Sequence, residues 1–146
     1  MYKHILVAID GSELALHAAE DGLALAKALG AKVTAITVTI PWNTIIAGEV
    51  ATAVPPGNYD HHIQANAEMV LKQVTAAAKA RGVACAALQT SDAHPWRAIL
   101  AAATEHDCDL IVVGSHGRSG LSRLLVGSEA IKLLTHSKLP VLIHRE

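Results

Sequence analysis

Residues 109–128 read Asp-Leu-Ile-Val-Val-Gly-Ser-His-Gly-Arg-Ser-Gly-Leu-Ser-Arg-Leu-Leu-Val-Gly-Ser. Four consecutive apolar residues, 110–113, are typical of a strand that is buried on both faces of a parallel sheet. Gly114 ends this strand, and Gly127-Ser128 begin the next helical pattern. A glycine-rich turn before a helix directs unpaired N–H groups into one cleft, where the helix dipole also favours phosphate. The stretch therefore predicts a phosphate-binding loop at the carboxyl end of a strand, with the Ser128 hydroxyl as a further donor.

Strand and helix patterns alternate on both sides of this stretch. Apolar or β-branched runs predict strands at 4–9, 32–39, 83–89, 110–113 and 140–144. Helical periodicity predicts helices from 13 to 29, from 61 to 81, from Pro95 onward and from 128 to 136. In the first helix, Leu14, Ala18, Leu25 and Leu29 are expected to pack, and Ser12 is expected to be the N-cap. The alternation predicts βαβ units, a parallel sheet and one domain over residues 1–146.

The composition restricts the core and the class of partner. Hydrophobic residues make up 51% of the chain but aromatic residues only 3%, so the core must be aliphatic. The net charge of −1 gives no basic footprint for nucleic acid, and no apolar run reaches membrane-spanning length. Cys85 and Cys108 lie in or beside apolar segments and are predicted to be buried thiols of a cytoplasmic protein.

The motif Gly114-x2-Gly117-x9-Gly127-Ser128 resembles the nucleotide-binding signature of the universal stress protein family, in its ATP-binding branch. The resemblance extends over the chain, because residues 5–12 look like the family's opening strand, 109–114 like its fourth and 139–143 like its last. It implies an α/β fold: a single doubly wound five-stranded parallel sheet in the order 3-2-1-4-5, with helices on both faces. In that order strands one and four are neighbours at the topological switch point, where open α/β sheets bind ligands.

The resemblance also implies the residues of a cofactor site. In it, Asp10 contacts the adenosine or a metal ion near the phosphates, and the backbone of Val38 meets the adenine. Asp10 has an alternative role as the cap of its own turn. Glu129 cannot attract an anion, so its side chain is expected to point to solvent. The matching positions are Ala8, Ile9, Asp10, Gly11, Ser12, Val38, Val113, Gly114, Ser115, His116, Gly117, Arg118, Gly127, Ser128 and Glu129.

The implied cofactor is ATP, or ADP or AMP, with Mg²⁺ held through the phosphates and water. We expect neither a catalytic residue nor a protein metal site. The nine histidines are scattered without a cysteine or carboxylate at ligand spacing, and we expect them to be exposed or capping.

Three functions remain open after this comparison. The first is a stress-response or signalling protein that switches on nucleotide binding with little or no catalysis. The second is a slow ATP hydrolase or nucleotide-processing enzyme, and the third is an interaction module that has lost the nucleotide. A P-loop NTPase is excluded because GxxxxGK[ST] does not occur, and a Rossmann dehydrogenase is disfavoured because GxGxxG is absent after the first strand.

Two further segments carry expectations. Residues 41–60 contain three prolines and no apolar periodicity, which predicts a mobile connection able to fold over the nucleotide. The last strand, Val141, Leu142, Ile143 and His144, lies at the sheet edge in the implied order. No charge or proline interrupts its apolar run, so we expect it to join two copies into a homodimer. The signalling partner is not indicated.

Overall fold

The computed structural model describes residues 1–41, 56–116 and 126–145. Within these ranges we number the elements in chain order. The strands are β1 (His4–Ala8), β2 (Lys32–Thr39), β3 (Cys85–Ser91), β4 (Leu110–Gly114) and β5 (Val141–His144). The helices are α1 (Glu13–Leu29), α2 (Pro56–Arg81), α3 (Pro95–Glu105) and α4 (Ser128–His136).

The five strands form one parallel sheet in the order β3-β2-β1-β4-β5. This confirms the predicted α/β fold and strand order. Ile5 of β1 pairs with Leu110 of β4, and the pairing continues to Val7 and Val112. The two central strands therefore end side by side, and their carboxyl ends share one edge of the sheet.

Helices cover both faces of the sheet, and each face has its own aliphatic core. On one face α1 and α2 pack over β1, β2 and β4, around Leu23, Val33 and Val74. On the other face α3 and α4 pack over β1, β2 and β4, around Ile99, Ile111 and Leu133. Because β1 leads into α1 on the first face whereas α4 lies on the second, the chain diverges at the β1–β4 junction and leaves a crevice there.

The face of α1 that packs on the sheet is made of small side chains. Ala15, Ala18, Ala19, Gly22, Leu23 and Ala26 are its buried residues. Of the four residues expected to pack, Ala18 is fully buried and Leu25 packs partly, but Leu29 is 37% exposed at the helix end. Small residues let the helix axis approach the sheet closely. The packed face of α1 is therefore marked by its small residues and not by the large apolar residues from which it was predicted.

The carboxylate of Asp109 fastens the first strand to the fourth. It accepts hydrogen bonds from the backbone N–H groups of Lys3 at 2.8 Å and His4 at 3.1 Å. Burial raises the pKa of Asp109, but hydrogen bonds from backbone N–H groups, those of Lys3 and His4 first, together with the nearby His4 hold that pKa below its ordinary value. The amino ends of β1 and β4 are thus held in register, which sets the position of their carboxyl ends.

Several boundaries differ from the sequence prediction. Helix α2 begins at Pro56, five residues before the predicted start. The part of the expected mobile connection at 56–60 is therefore helical; the rest of it, 42–55, lies outside the described residues. Proline is favourable in a first helical turn, so a proline at position 56 is compatible with the start of a helix and does not by itself indicate a loop. Strand β3 is shifted to Cys85–Ser91 because it follows the register of β2.

The cysteines and the membrane question have simple outcomes. Cys108 is buried as predicted, and burial raises its pKa to about 11. Cys85 is only half-buried, because it lies on the edge strand β3.

In the described ranges we find no helix with the length and apolar character needed to cross a bilayer.

Candidate functional site

A cavity of about 420 Å³ lies at the crevice between the carboxyl ends of β1 and β4. Its size falls in the range of small-molecule sites, and its wall is mainly apolar with a few polar groups. Eleven of the predicted site residues line it: Ala8, Ile9, Asp10, Val38, Val113, Gly114, Ser115, His116, Gly127, Ser128 and Glu129.

Of the other four predicted site residues, two are described and do not line this cavity, and two are not described. Gly11 and Ser12 lie in the adjoining turn between β1 and α1, whereas Gly117 and Arg118 lie outside the described residues. Gly11 has φ +84°, a conformation that glycine adopts without strain. The Ser12 hydroxyl accepts a hydrogen bond from the N–H of Ala15 at 3.2 Å, so Ser12 is the N-cap of α1, as predicted.

Asp10 shapes the turn that leads out of β1. Its Oδ1 atom accepts a hydrogen bond from the N–H of Ser12 at 2.9 Å, which is the geometry of an Asx-turn. The predicted capping role is therefore present in the structure. This bond also holds the carboxylate at the cavity wall, so capping and ligand contact are compatible.

Val38 presents its peptide edge to the cavity. The N–H and C=O groups of one residue point to the same side of a strand, and that side alternates along the chain. The C=O of Ile36 accepts a hydrogen bond from the N–H of Ile9 at 2.9 Å, so the backbone N–H and C=O groups of residue 36 face β1. Val38, two residues later, points the same way, but β1 ends at Ala8, opposite Ile36. One donor and one acceptor of the main chain thus face the crevice.

The opposite end of the cavity is formed where α4 begins against the end of β4. The N–H of Gly127 donates to the C=O of Ser115 at 2.6 Å. A Cβ atom on residue 127 would lie 2.9 Å from that same oxygen, a contact that side chains essentially never make. Its φ of −61° is accessible to any residue, so backbone conformation does not require glycine here. The close approach to Ser115 does.

The first turn of α4 directs its backbone donors towards the cavity. Gly127 is the N-cap and has no side chain, and no side chain within 1–41, 56–116 or 126–145 caps this end of the helix. By contrast, α1 is capped by Ser12. The N-terminal N–H groups of a helix have no partners within it, and the dipole makes this end positive. With Ser128 as the first helical residue, the end of α4 that lines the cavity suits an anion.

Ser115 and His116, both predicted as site residues, also form a side-chain pair that was not predicted. Ser115 is 2% exposed, its Oγ lies 2.9 Å from Nδ1 of His116, and its N–H donates to the C=O of His144 on β5 at 2.9 Å. These bonds tie the end of β4 to β5 and hold the loop entrance beside the cavity. The signal was the polar pair directly after the buried strand.

Glu129 corrects the prediction that its side chain points to solvent. Its Oε2 atom accepts a hydrogen bond from the backbone N–H of Trp96 at 3.0 Å, and the side chain is 43% exposed. The carboxylate therefore caps the start of α3, whose own N-cap residue, His94, makes no side-chain capping bond. Through this bond Glu129 joins the first turns of α3 and α4 at the cavity rim.

Helix α2 contributes a wall of the cavity that the sequence pattern did not predict. Tyr59, Ile63, Asn66 and Ala67 line the cavity, next to Thr39 and Ile40 at the end of β2. Pro95 and Ile99 of α3 complete the opposite side. The spacing 59, 63, 66 and 67 is that of one helical face, and it continues the stripe predicted from residue 63 onward. Placing the helix start too late hid its first member.

His4 contradicts the prediction that the histidines are exposed or capping. His4 is only 7% exposed, and its Nε2 lies 2.8 Å from Oγ1 of Thr34. It is therefore a core residue, because its position in β1 faces the sheet interior. Among the described residues no three histidine, cysteine or acidic side chains are arranged to hold a metal ion.

Comparison with known proteins gives consistent matches over the chain. The family model described as "Universal stress protein family" matches residues 1–145. Universal stress protein YxiE of Bacillus subtilis is 31% identical, over 99% of this chain and 100% of that protein. Universal stress protein MJ0531 of Methanocaldococcus jannaschii is 29% identical, over 98% and 82%.

Solved structures show the same architecture. A member of that family from Burkholderia pseudomallei has 26% identity and a TM-score of 0.78, over 99% of this chain and 97% of that one. A universal stress protein solved in complex with cAMP has 28% identity and a TM-score of 0.72, over 99% and 98%.

Proposed function

Because this chain belongs to the universal stress protein family, we propose that it binds an adenine nucleotide in the cavity between β1 and β4. ATP is the proposed main ligand, with Mg²⁺ held through the phosphates and water. Binding, rather than fast chemistry, is its proposed role in a stress response or signal. The cytoplasm, where thiols stay reduced, is the compartment we expect for its two free cysteines.

The observation that carries the proposal is the polarity of the two cavity ends. At one end the peptide of Val38 offers an acceptor beside a donor, which complements the N6 amino group and N1 of adenine. At the other end the first turn of α4, whose N-cap is a glycine, offers N–H donors and the Ser128 hydroxyl to phosphate. The apolar wall between them, which includes Ile36 and Val113, suits a flat base and a ribose.

The relative solved with cAMP supports the same class of ligand, since cAMP carries adenine, ribose and one phosphate. It does not distinguish a triphosphate from a monophosphate. We favour ATP because the motif from Gly114 to Ser128 resembles that of the ATP-binding branch. Gly117 and Arg118, which this motif adds to the phosphate end, remain predicted contacts.

The proposal is tested by calorimetry on protein first freed of co-purified nucleotide. ATP should bind more tightly than GTP, because guanine presents O6 and N1–H to Val38 in the reverse order. Gly127→Ala should weaken ATP binding by about tenfold, or 1.4 kcal/mol, since the new methyl group displaces the start of α4.

Thr135→Ala, on the exposed side of the same helix, is the matched control and should bind as the parent does. If neither ATP, ADP, AMP nor cAMP binds to the folded parent protein, the proposed function is wrong. Mass spectrometry of the denatured protein identifies the nucleotide carried from the cell.

The alternative function is a slow ATP hydrolase. One observation keeps it open: the hydroxyl and imidazole of Ser115 and His116 are 2.9 Å apart beside the proposed phosphate end. A phosphate-release assay with Ser115→Ala as the comparison separates the two functions. Release that depends on Ser115 favours the hydrolase, and release at the buffer rate favours the binding switch.

A further inference from the structure

Helix α2 closes one side of the cavity with its first turns. Tyr59, Ile63, Asn66 and Ala67 line the space above the end of β2. Further along the same face, Val70 and Val74 enter the hydrophobic core. One face of this helix therefore changes from core packing to cavity wall along its length, and Asn66 is the amide side chain on the part that lines the cavity.

Two contacts fix this part of α2 over the sheet. The side-chain amides of Gln64 and Gln89 exchange hydrogen bonds at 2.8 Å and 3.3 Å, which joins α2 to β3. The hydroxyl of Tyr59 donates to the C=O of Ile40 at 3.1 Å, which joins the first turn of α2 to the end of β2. Asn66 follows Gln64 by two residues on the same helix, so these attachments determine its backbone position relative to β2 and β3.

The Asn66 amide has unused hydrogen-bonding capacity. It is half-buried at the cavity wall, and it makes no side-chain hydrogen bond to any residue in 1–41, 56–116 or 126–145. An amide offers two donors and one acceptor. A ligand that fills the cavity takes water away from this group, and leaving an amide unpaired in an apolar site is unfavourable. A well-suited ligand therefore presents a polar edge to α2.

We infer that Asn66 is a specificity-determining residue that recognises an edge of the purine ring. This inference rests on the proposed adenine-nucleotide function. In the proposed pose the backbone of Val38 bonds to N1 and to one hydrogen of the N6 amino group, and N9 carries the ribose. Two ring nitrogens, N7 and N3, then have no partner from Val38 or the ribose. An asparagine amide can pair with N7 and N6 together, or donate to N3. Either contact satisfies the Asn66 amide and orients the base.

The test combines a change in the protein with a change in the ligand. Binding of ATP, 7-deaza-ATP and 3-deaza-ATP is measured by calorimetry with the parent chain and with Asn66→Ala. We expect Asn66→Ala to weaken ATP binding by about tenfold. We also expect one deaza analogue to bind about tenfold more weakly than ATP to the parent, yet as well as ATP to Asn66→Ala.

Controls separate the outcomes. Gln73→Ala removes an exposed amide from the same helix away from the cavity and should leave all three affinities unchanged. Asn66→Asp keeps the size but loses the donors, so it should bind ATP no better than Asn66→Ala. Suppose that ATP binds to the parent, and that each deaza analogue binds more weakly than ATP by the same factor in the parent and in Asn66→Ala. The inference about Asn66 is then wrong, while the proposed function stands. If ATP does not bind to the parent, the proposed function itself fails.

Discussion

At the scale of single residues, His4 shows how the sheet interior changes a side chain's chemistry. The residue is buried in β1, with Nε2 beside Thr34 and no hydrogen-bond partner for Nδ1 among the described residues. Burial lowers the pKa of His4 below 6.5, and the nearby charge of Lys32 lowers it further. The folded protein therefore disfavours protonation of this imidazole relative to the unfolded chain, where its pKa is the ordinary one.

This difference predicts a loss of stability in mild acid. As the pH falls below 6.5, the unfolded chain binds a proton that the folded protein does not, so the free energy of unfolding decreases until the folded pKa is reached. Denaturant unfolding at several values between about pH 7 and about pH 5 measures the slope. His4→Gln should flatten it, and His62→Gln, an exposed change on α2, should not. An equal slope in the parent and His4→Gln would contradict the prediction; Asp109 does not interfere, since it titrates below its ordinary 3.8.

At the scale of elements, α1 depends on a glycine that helix propensity disfavours. Gly22 lies in the middle of α1 and is buried against β1 and β4. A methyl group on it would lie 2.8 Å from Cγ2 of Val7, a fully buried and β-branched side chain that has little freedom to move. The glycine thus sets the distance between α1 and the strand that leads into the site.

Gly22→Ala should therefore lower the free energy of unfolding, by about 1–3 kcal/mol of overpacking, offset in part by about 1 kcal/mol of helix propensity. Ala24→Gly, at an exposed position of α1, measures the propensity term alone. Chemical denaturation of the two variants and the parent gives both values. A Gly22→Ala protein more stable than the parent would show that α1 shifts freely on the sheet.

At the scale of the whole molecule, the edge strand β5 remains to be covered. Within the described part of the chain it pairs with β4 alone, and Leu142 is 37% exposed. On α4, which packs against the inner side of β5, Ile131 and Leu134 are exposed as well. An uncharged edge beside apolar side chains is suited to pairing with a second copy, and two-fold pairing closes the assembly.

We therefore predict a homodimer joined through Val141–His144. Light scattering at micromolar concentration should give twice the mass of one chain. The C=O groups of Pro140 and His144 accept hydrogen bonds from β4 and the residue that follows it, so the peptide groups of Val141 and Ile143 face the open edge. Ile143→Pro should shift the mass towards one chain by removing a donor from that edge, and Ile143→Thr, which keeps the backbone N–H, should shift it less. A parent protein with the mass of one chain would rule out this assembly.

The sequence by itself determined the kind of fold and the edge of the sheet at which the candidate site lies. Aliphatic runs alternating with helical periods specify parallel strands and covering helices, because each element must bury its apolar side. The family motif supplied the strand order, which puts Asp10 and Gly114 at one edge. Local chemistry was readable too: Ser12 caps α1, and helix α4 begins at Ser128.

Only the tertiary structure decided which side chains meet across elements. Glu129 caps α3 because two helices that are distant in sequence begin side by side. His4 is in the core because of the strand on which it lies, and Asn66 reaches the cavity because α2 crosses the end of β2. Periodicity describes the faces of one element at a time. The partner of each face depends on packing between elements, which burial and close contact settle in three dimensions.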